Sequence, residues 1–213
     1  MLTETSLADA VRELSARDAR LARIVTDFGP PPLWARAPGF PTLIHIILEQ
    51  QVSLASARAA FDRLRAIADP LTPQRFLDLD DVTLLAAGFS RQMTRYGRAL
   101  AQAILAGSLD LDGLADLDDS AIHAELTRIV GIGHWTADIY LLMALGRPDV
   151  WPSGDLALAI AARNVLGLPA TPPPVELATI GEAWRPWRAV AARILWHHYL
   201  SAGARPARAG TRD

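Results

Sequence analysis

Ile129-Val130-Gly131-Ile132-Gly133-His134-Trp135-Thr136-Ala137-Asp138 is the stretch that decides the fold, and Trp151-Pro152-Ser153-Gly154-Asp155-Leu156 is its companion further along the chain. Gly131 and Gly133 flank one apolar residue, and an amphipathic helix begins directly after them. A glycine-flanked turn that opens a helix presents backbone N–H groups without intrahelical partners, and glycine lets another backbone or an anion come close. The helix dipole adds to those hydrogen bonds, so a phosphate is a natural guest. Asp155 follows a Pro-Ser-Gly breaker and opens a helix of its own. The pairing is a phosphate grip followed by a carboxylate held at a helix start.

Working outward, the sequence predicts helices with short loops and no strands. Leu7, Val11, Leu14, Leu21 and Ile24 recur at helical spacing and predict one helix over 4–27, ended by Gly29-Pro30-Pro31-Pro32. The loop that follows, with Trp34, Pro38 and Pro41, is the expected lobe boundary. Residues 42–50 read as a buried helix. Gln50-Gln51-Val52-Ser53 interrupts it, and Ser53 can cap a helix over 54–68. Short helices are expected at 73–78 and 80–87, and a longer one from Arg91 to Ala106. The acidic stretch 110–120 reads as a solvated connection, because it lacks the spacing of a calcium loop. A helix over 120–129 leads into the opening turn, and another runs from Trp135 to Leu145. The Asp155 helix ends near Gly167. A helix over 175–184 and a last one bearing Trp196, His197 and His198 follow. The tail 204–213 is expected to be disordered.

The totals set bounds. The 213 residues suffice for one large domain or two small lobes with a real core. No apolar run reaches the roughly 18 residues of a membrane span, and the acidic, amphipathic N-terminus does not read as a signal peptide; the cytosol is the expected location. There are no cysteines, which excludes thiolate zinc sites and cysteine-ligated iron–sulfur clusters. There is also no lysine, so all 21 basic residues are arginine. A lysine Schiff base therefore has no side chain to form on. A net charge of -2 does not advertise nucleic acid, but a local patch can bind it regardless of the total.

A helix, a Gly-x-Gly hairpin, a second helix and an Asp after a Pro/Gly-rich loop resemble the helix-hairpin-helix (HhH-GPD) DNA glycosylases. The resemblance spans roughly residues 40–200. It is carried by VGIGHWTADIYLLMALGRPDVWPSGDLAL and by ILEQQVS, and the ending WRPWRAVAARILW is similar to the 3-methyladenine DNA glycosylase II branch. The resemblance implies an all-α fold of two helical lobes with the active-site cleft between them. One lobe would be 40–150 and the other 1–39 plus 151–203, in a compact form without the extra N-terminal α/β domain of many alkylpurine enzymes. It implies Asp155 as the catalytic carboxylate and Gly131, Gly133, His134 and Thr136 as the DNA-binding hairpin. It further implies a monovalent cation, Na+ or K+, on the backbone carbonyls of Thr127, Ile129 and Ile132, with no cofactor for catalysis and no iron–sulfur cluster. Gln50 and Gln51 fall at the family's intercalation loop, with Gln51 the preferred plug for the gap an extruded base leaves. Trp135, Trp196, Ile139 and Leu156 fall at base-pocket positions. Ile139 stands where the branch has a tyrosine, and Leu156 where an aromatic often follows the Asp.

Each assignment has a plainer counterpart. Asp155 also reads as a simple N-cap, the two tryptophans as core, the glutamines as a polar helix end, and Asp138 as a rival carboxylate on the Trp135 helix. A carboxylate beneath C1′ can stabilise the positive charge that builds on deoxyribose as a base leaves, and can orient or deprotonate water. An N3- or N7-alkylated purine is cationic, and indole faces attract cations. Trp135 stands where lyase-competent relatives carry a lysine. The expected protein is thus a monomeric, monofunctional glycosylase. It would flip alkylated purines such as 3-methyladenine out of duplex DNA containing damaged bases and leave an intact abasic site. A non-catalytic damaged-DNA binder, or an enzyme for deaminated, etheno or oxidised bases, is the alternative.

Overall fold

The computed structural model describes residues 1–204. The predicted disordered tail, 204–213, lies outside them except for Ala204, which closes the last helix. In chain order the helices are α1 (Glu4–Arg17), α2 (Ala19–Phe28), α3 (Phe40–Glu49), α4 (Leu54–Ile67), α5 (Pro73–Asp78) and α6 (Asp81–Ala87). They continue with α7 (Arg91–Leu105), α8 (Asp119–Thr127), α9 (His134–Met143), α10 (Leu156–Leu166), α11 (Pro174–Gly181) and α12 (Arg188–Ala204). Short 3-10 turns cover Gly113–Asp116 and Glu182–Trp184, and there is no strand among the described residues. None of the helices there is long and apolar enough to cross a membrane.

The chain divides into two compact units, Ala35–Leu145 and a second built from Met1–Trp34 together with the residues from Gly146 onward. The first holds α3 to α9. Its centre is α3, where Leu43, Ile44, Ile46 and Ile47 are fully buried, packed against α4, α7 and α9. Gly97 of α7 lets Phe76 approach so closely that a Cβ there would lie 2.5 Å from the ring. The second unit is organised on α12, which packs against α1, α2 and α10. Every residue from Ala189 to Leu195 is fully buried. That run includes Arg193, whose guanidinium donates to the carbonyls of Leu33 (2.9 Å) and Ala189 (3.0 Å). Burial holds its pKa down to about 10, so it stays charged at neutral pH.

The single helix predicted over 4–27 is two. Asp18 adopts extended backbone (φ -136°, ψ 106°) and serves as C-cap of α1 and N-cap of α2. Apolar periodicity is continuous across this break, so spacing alone could not reveal it; the break is fixed by what the carboxylate reaches. Asp18 accepts from the Arg20 N–H, from the Arg20 guanidinium and from the Trp184 indole N–H (3.1 Å). The Arg20 hydrogen bond leads in holding its pKa down to about 2, against a usual 3.8. A depressed carboxylate pKa stabilises the fold above the unfolded value and loses that contribution as pH falls through the folded one. Asp18→Asn keeps a capping side chain but removes the charge. It should cost about 2 kcal/mol at pH 7, taking roughly 1.4 kcal/mol per pKa unit. Denaturation at pH 7 and near pH 2 checks this, because the gap between variant and parent should close between about pH 4 and pH 2.

Candidate active site

The glycine turn lies between α8 and α9. Ile129 N–H donates to Leu126 O (3.1 Å), and Ile132 N–H donates to Ile129 O (3.0 Å), closing the hairpin. Gly131 has φ +94°, and a Cβ on it would meet the Tyr96 ring of α7 at 2.0 Å, so conformation and space both require glycine. Ile132 is buried while Val130 is half-exposed, so the turn anchors through Ile132. Gly133 differs: its φ is -92°, and a Cβ there would meet nothing within 4 Å among the described residues. Its bareness has no packing cause. It opens α9 with no capping side chain, and the first intrahelical bond runs from Ala137 N–H to Gly133 O (3.1 Å).

The side chains around this helix start fall into two groups. The Gln50 amide, at the end of α3, donates to Gly131 O (2.9 Å) and to Thr136 Oγ1 (3.0 Å). Thr136 is buried, at 1% exposure. Its hydroxyl is thus committed inward, and only its backbone in the first turn of α9 remains for an anion. The second group joins α8 and α9. His134 Nδ1 lies 3.3 Å from His123 Nε2 with the rings 4.7 Å apart, and His123 Nε2 lies 3.6 Å from Asp138 Oδ1. Burial, followed by the His134 charge, lowers the His123 pKa. Asp138 is therefore engaged with a neighbouring helix. His134 is exposed and Trp135 half-buried, the first two residues of α9. Ile139, expected in a base pocket, is buried at 3% exposure.

Gln51 has positive φ (+60°) and is exposed, in contrast to Gln50. Arg98, one of three arginines on α7, is spent on the carbonyls of Leu77 and Leu79 and on Asp81. Arg91 and Arg95 of the same helix are exposed.

In the other unit the loop before α10 builds the carboxylate. Trp151 is buried and donates its indole N–H to Leu177 O (2.8 Å). Gly181 lies so close that a Cβ would clash with that ring. From this anchor the chain turns through Ser153 N–H to Trp151 O and Asp155 N–H to Pro152 O, both 2.9 Å. Asp155 then caps α10: Oδ1 accepts from Leu158 N–H (2.6 Å) and from the Trp196 indole N–H of α12 (2.9 Å). Trp196, expected at a base-pocket position, is 7% exposed and donates its indole N–H to the carboxylate. Leu156 points outward, at 69% exposure.

Sequence spacing missed the Gln50 bonds, the Tyr96 contact and the His123 partnership, each made across helices by residues far apart in the chain. The one available signal was the doubled glutamine at a helix end. Among the described residues no cluster of three His, Cys, Asp or Glu could hold a metal ion.

The family described as "HhH-GPD superfamily base excision DNA repair protein" matches residues 44–186. DNA-3-methyladenine glycosylase 1 of Schizosaccharomyces pombe is 30% identical over 199 residues, covering 90% of this chain and 87% of that protein. A solved structure of S. pombe 3-methyladenine DNA glycosylase in complex with abasic DNA superposes with a TM-score of 0.81 at 29% identity, covering 88% of this chain and 95% of the other. A DNA-3-methyladenine glycosidase from Bacillus halodurans gives 0.73 at 29% identity, covering 91% and 90%.

Proposed function

The chain belongs to the HhH-GPD superfamily of base excision DNA repair proteins, and from that premise we infer that it is an alkylbase DNA glycosylase. We propose that it acts as a monomer on duplex DNA, takes cationic N-alkylated purines such as 3-methyladenine, and releases the base without cutting the strand. The observation that carries the reading is Asp155, held at the start of α10 by two N–H donors.

The chemistry follows from the charges. An N3- or N7-alkylated purine carries a positive charge. When its bond to C1′ breaks, the electron pair goes to the base, which leaves neutral and needs no strong general acid. Positive charge then grows on the sugar at C1′ and O4′. A preorganised carboxylate opposes that charge and costs little reorganisation, because its orientation is already fixed. Water adds to C1′ and gives its proton to Asp155. The backbone at the start of α9 takes a DNA phosphate, supported by the helix dipole, with exposed His134 beside it. Trp135 offers an indole face for the cationic base, and Gln51 fills the gap in the stack. Trp196 acts as a positioning residue for Asp155.

The hairpin carbonyls of Thr127, Ile129 and Ile132 are neutral oxygen donors. Ile129 O accepts one hydrogen bond, from Ile132 N–H, and keeps a second lone pair. With no carboxylate among them, this donor set fits a singly charged Na+ or K+ better than a strongly hydrated divalent ion. An ion held there would offset phosphate charge.

No ε-amine exists in the sequence to form a Schiff base, which supports hydrolysis without strand cleavage. Incubating methylated duplex DNA with the protein and identifying released bases by mass spectrometry tests both halves. The expected result is free 3-methyladenine or 7-methylguanine, abasic sites in intact strands, and no protein–DNA adduct after borohydride reduction. Tight binding to damaged duplex with no base released over a lesion panel would overturn the enzymatic reading. A borohydride-trapped adduct would overturn the monofunctional one.

A further inference from the structure

Gln50 and Gln51 are neighbours with opposite fates. Gln50 closes α3 in extended backbone (φ -65°, ψ 119°), and its side chain turns back into the fold. A primary amide has two N–H donors. Gln50 gives both away, one to the Gly131 carbonyl and one to the Thr136 hydroxyl. These acceptors belong to the glycine turn and to the first turn of α9. The residue before it is also tethered: Glu49, its side chain 6% exposed, receives the Arg36 guanidinium through two bonds of 2.7 and 3.0 Å. Arg36 in turn donates its backbone N–H to Met143 O at the far end of α9 (2.9 Å). The end of α3 is thus tied to both ends of α9. Gln51 is the first residue beyond these ties, exposed and in positive-φ backbone.

We infer that Gln50 is a positioning residue that clamps the phosphate-gripping hairpin to the segment presenting Gln51, so that grip and plug meet the duplex in fixed register. The inference rests on the reading of this unit as the DNA-engaging part of a glycosylase. A base can be held out of the stack only if the plug enters at a set distance from the gripped phosphate. Two hydrogen bonds from one planar amide fix that distance more stringently than packing by flexible side chains. The doubled glutamine is then a division of labour. The first amide is consumed within the fold, and the second is offered to DNA. Gln50 serving as the plug would require it to abandon two partly buried acceptors that nothing else replaces.

Three variants test this: Gln50→Leu, which keeps the shape and loses both donors, Gln51→Ala, and the double variant. Gln50→Glu, which turns a carboxylate toward the Gly131 carbonyl, is a second probe of the clamp. The measurements are amide hydrogen exchange over 131–137 in the free protein and the affinity ratio for a duplex with a tetrahydrofuran abasic analogue over an undamaged duplex. Thermal melts run alongside. Both Gln50 variants should exchange faster over 131–137. Gln50→Leu should lose about tenfold or more of the abasic preference, because two partly buried acceptors are left unsatisfied. In the Gln51→Ala background the same change should cost less than about twofold, since a clamp acting through Gln51 has nothing left to position. A structural role alone would add its loss in both backgrounds. Unchanged exchange in Gln50→Leu, or additive losses, overturns the clamp. Faster exchange in a protein whose parent shows neither abasic preference nor base release leaves the clamp standing and sinks the glycosylase reading.

Discussion

Asp155→Asn should reduce base release from methylated DNA by at least about 10²–10³-fold, the scale on which removal of one preorganised charge-stabilising group is felt. The fold should survive. Asparagine is as good an N-cap as aspartate, and its Oδ1 can still accept from Leu158 N–H and from the Trp196 indole, as the native side chain does. On the proposed mechanism, what is lost is the negative charge facing the developing positive charge on the sugar, together with the base that takes the proton from water. Abasic-analogue binding and melting temperature should therefore stay near those of the parent while single-turnover release collapses. Asp155→Ala makes a useful contrast, since it also removes the cap and should lower stability by about 1 kcal/mol. Asp138→Asn should retain turnover, because Asp138 lies with His123 on the α8–α9 pair. A fully active Asp155→Asn beside an inactive Asp138→Asn would reverse the assignment.

The second large effect lies in the glycine turn. Gly131→Ala should destabilise the protein by roughly 2–6 kcal/mol, a left-handed backbone cost of about 1–3 kcal/mol added to about 1–3 kcal/mol of overpacking. Both causes are visible: φ is +94°, and the added Cβ would sit 2.0 Å from the Tyr96 ring. Against a typical total of about 5–15 kcal/mol, this is a severe lesion, measurable by urea or thermal denaturation. Tyr96→Ala removes the ring from this contact but keeps its Cβ, which would still lie 2.5 Å from the new methyl. In that background Gly131→Ala should cost less than in the parent though more than the backbone part, and a full-sized penalty there would show the ring contact to be irrelevant. Gly133→Ala should behave differently. Its φ is negative and, chain neighbours aside, no described residue stands within 4 Å of the new methyl, so stability should change little. Duplex affinity should nevertheless fall, because the methyl would meet the phosphate proposed to approach the start of α9. A Gly133→Ala protein that binds DNA as the parent does would place the phosphate elsewhere.

Much of the site was legible because its parts are local. The hairpin glycines, the helix that follows and the Asp after Pro-Ser-Gly are decided within ten or so residues by turn chemistry and capping, and Asp155 does cap α10. Side-chain roles were less legible. The resemblance placed Trp196 at a base-pocket position, while its 7% exposure and its bond to Asp155 depend on how α12 packs against α10. The resemblance placed Thr136 among the DNA-binding residues of the hairpin, and only the packing shows that its hydroxyl is turned inward toward Gln50. The break at Asp18 was invisible to apolar spacing, because it is held by polar bonds to its carboxylate, from nearby Arg20 and from Trp184, 166 positions away.

By itself the sequence determined the helical class, the order of most helices, the Gly-x-Gly hairpin that opens α9 and, through the absence of lysine, the want of any side-chain amine for a Schiff base. These follow from backbone conformational preference, apolar periodicity and composition, which act over short range or need no structure at all. The tertiary structure alone decided which glutamine is spent inside the fold and which is offered outward, that Gly131 is required by a ring as well as by its own φ, and that an indole N–H orients Asp155. Each depends on donors and acceptors that meet across helices, and hydrogen bonds of about 3 Å select partners that no spacing along the chain can identify.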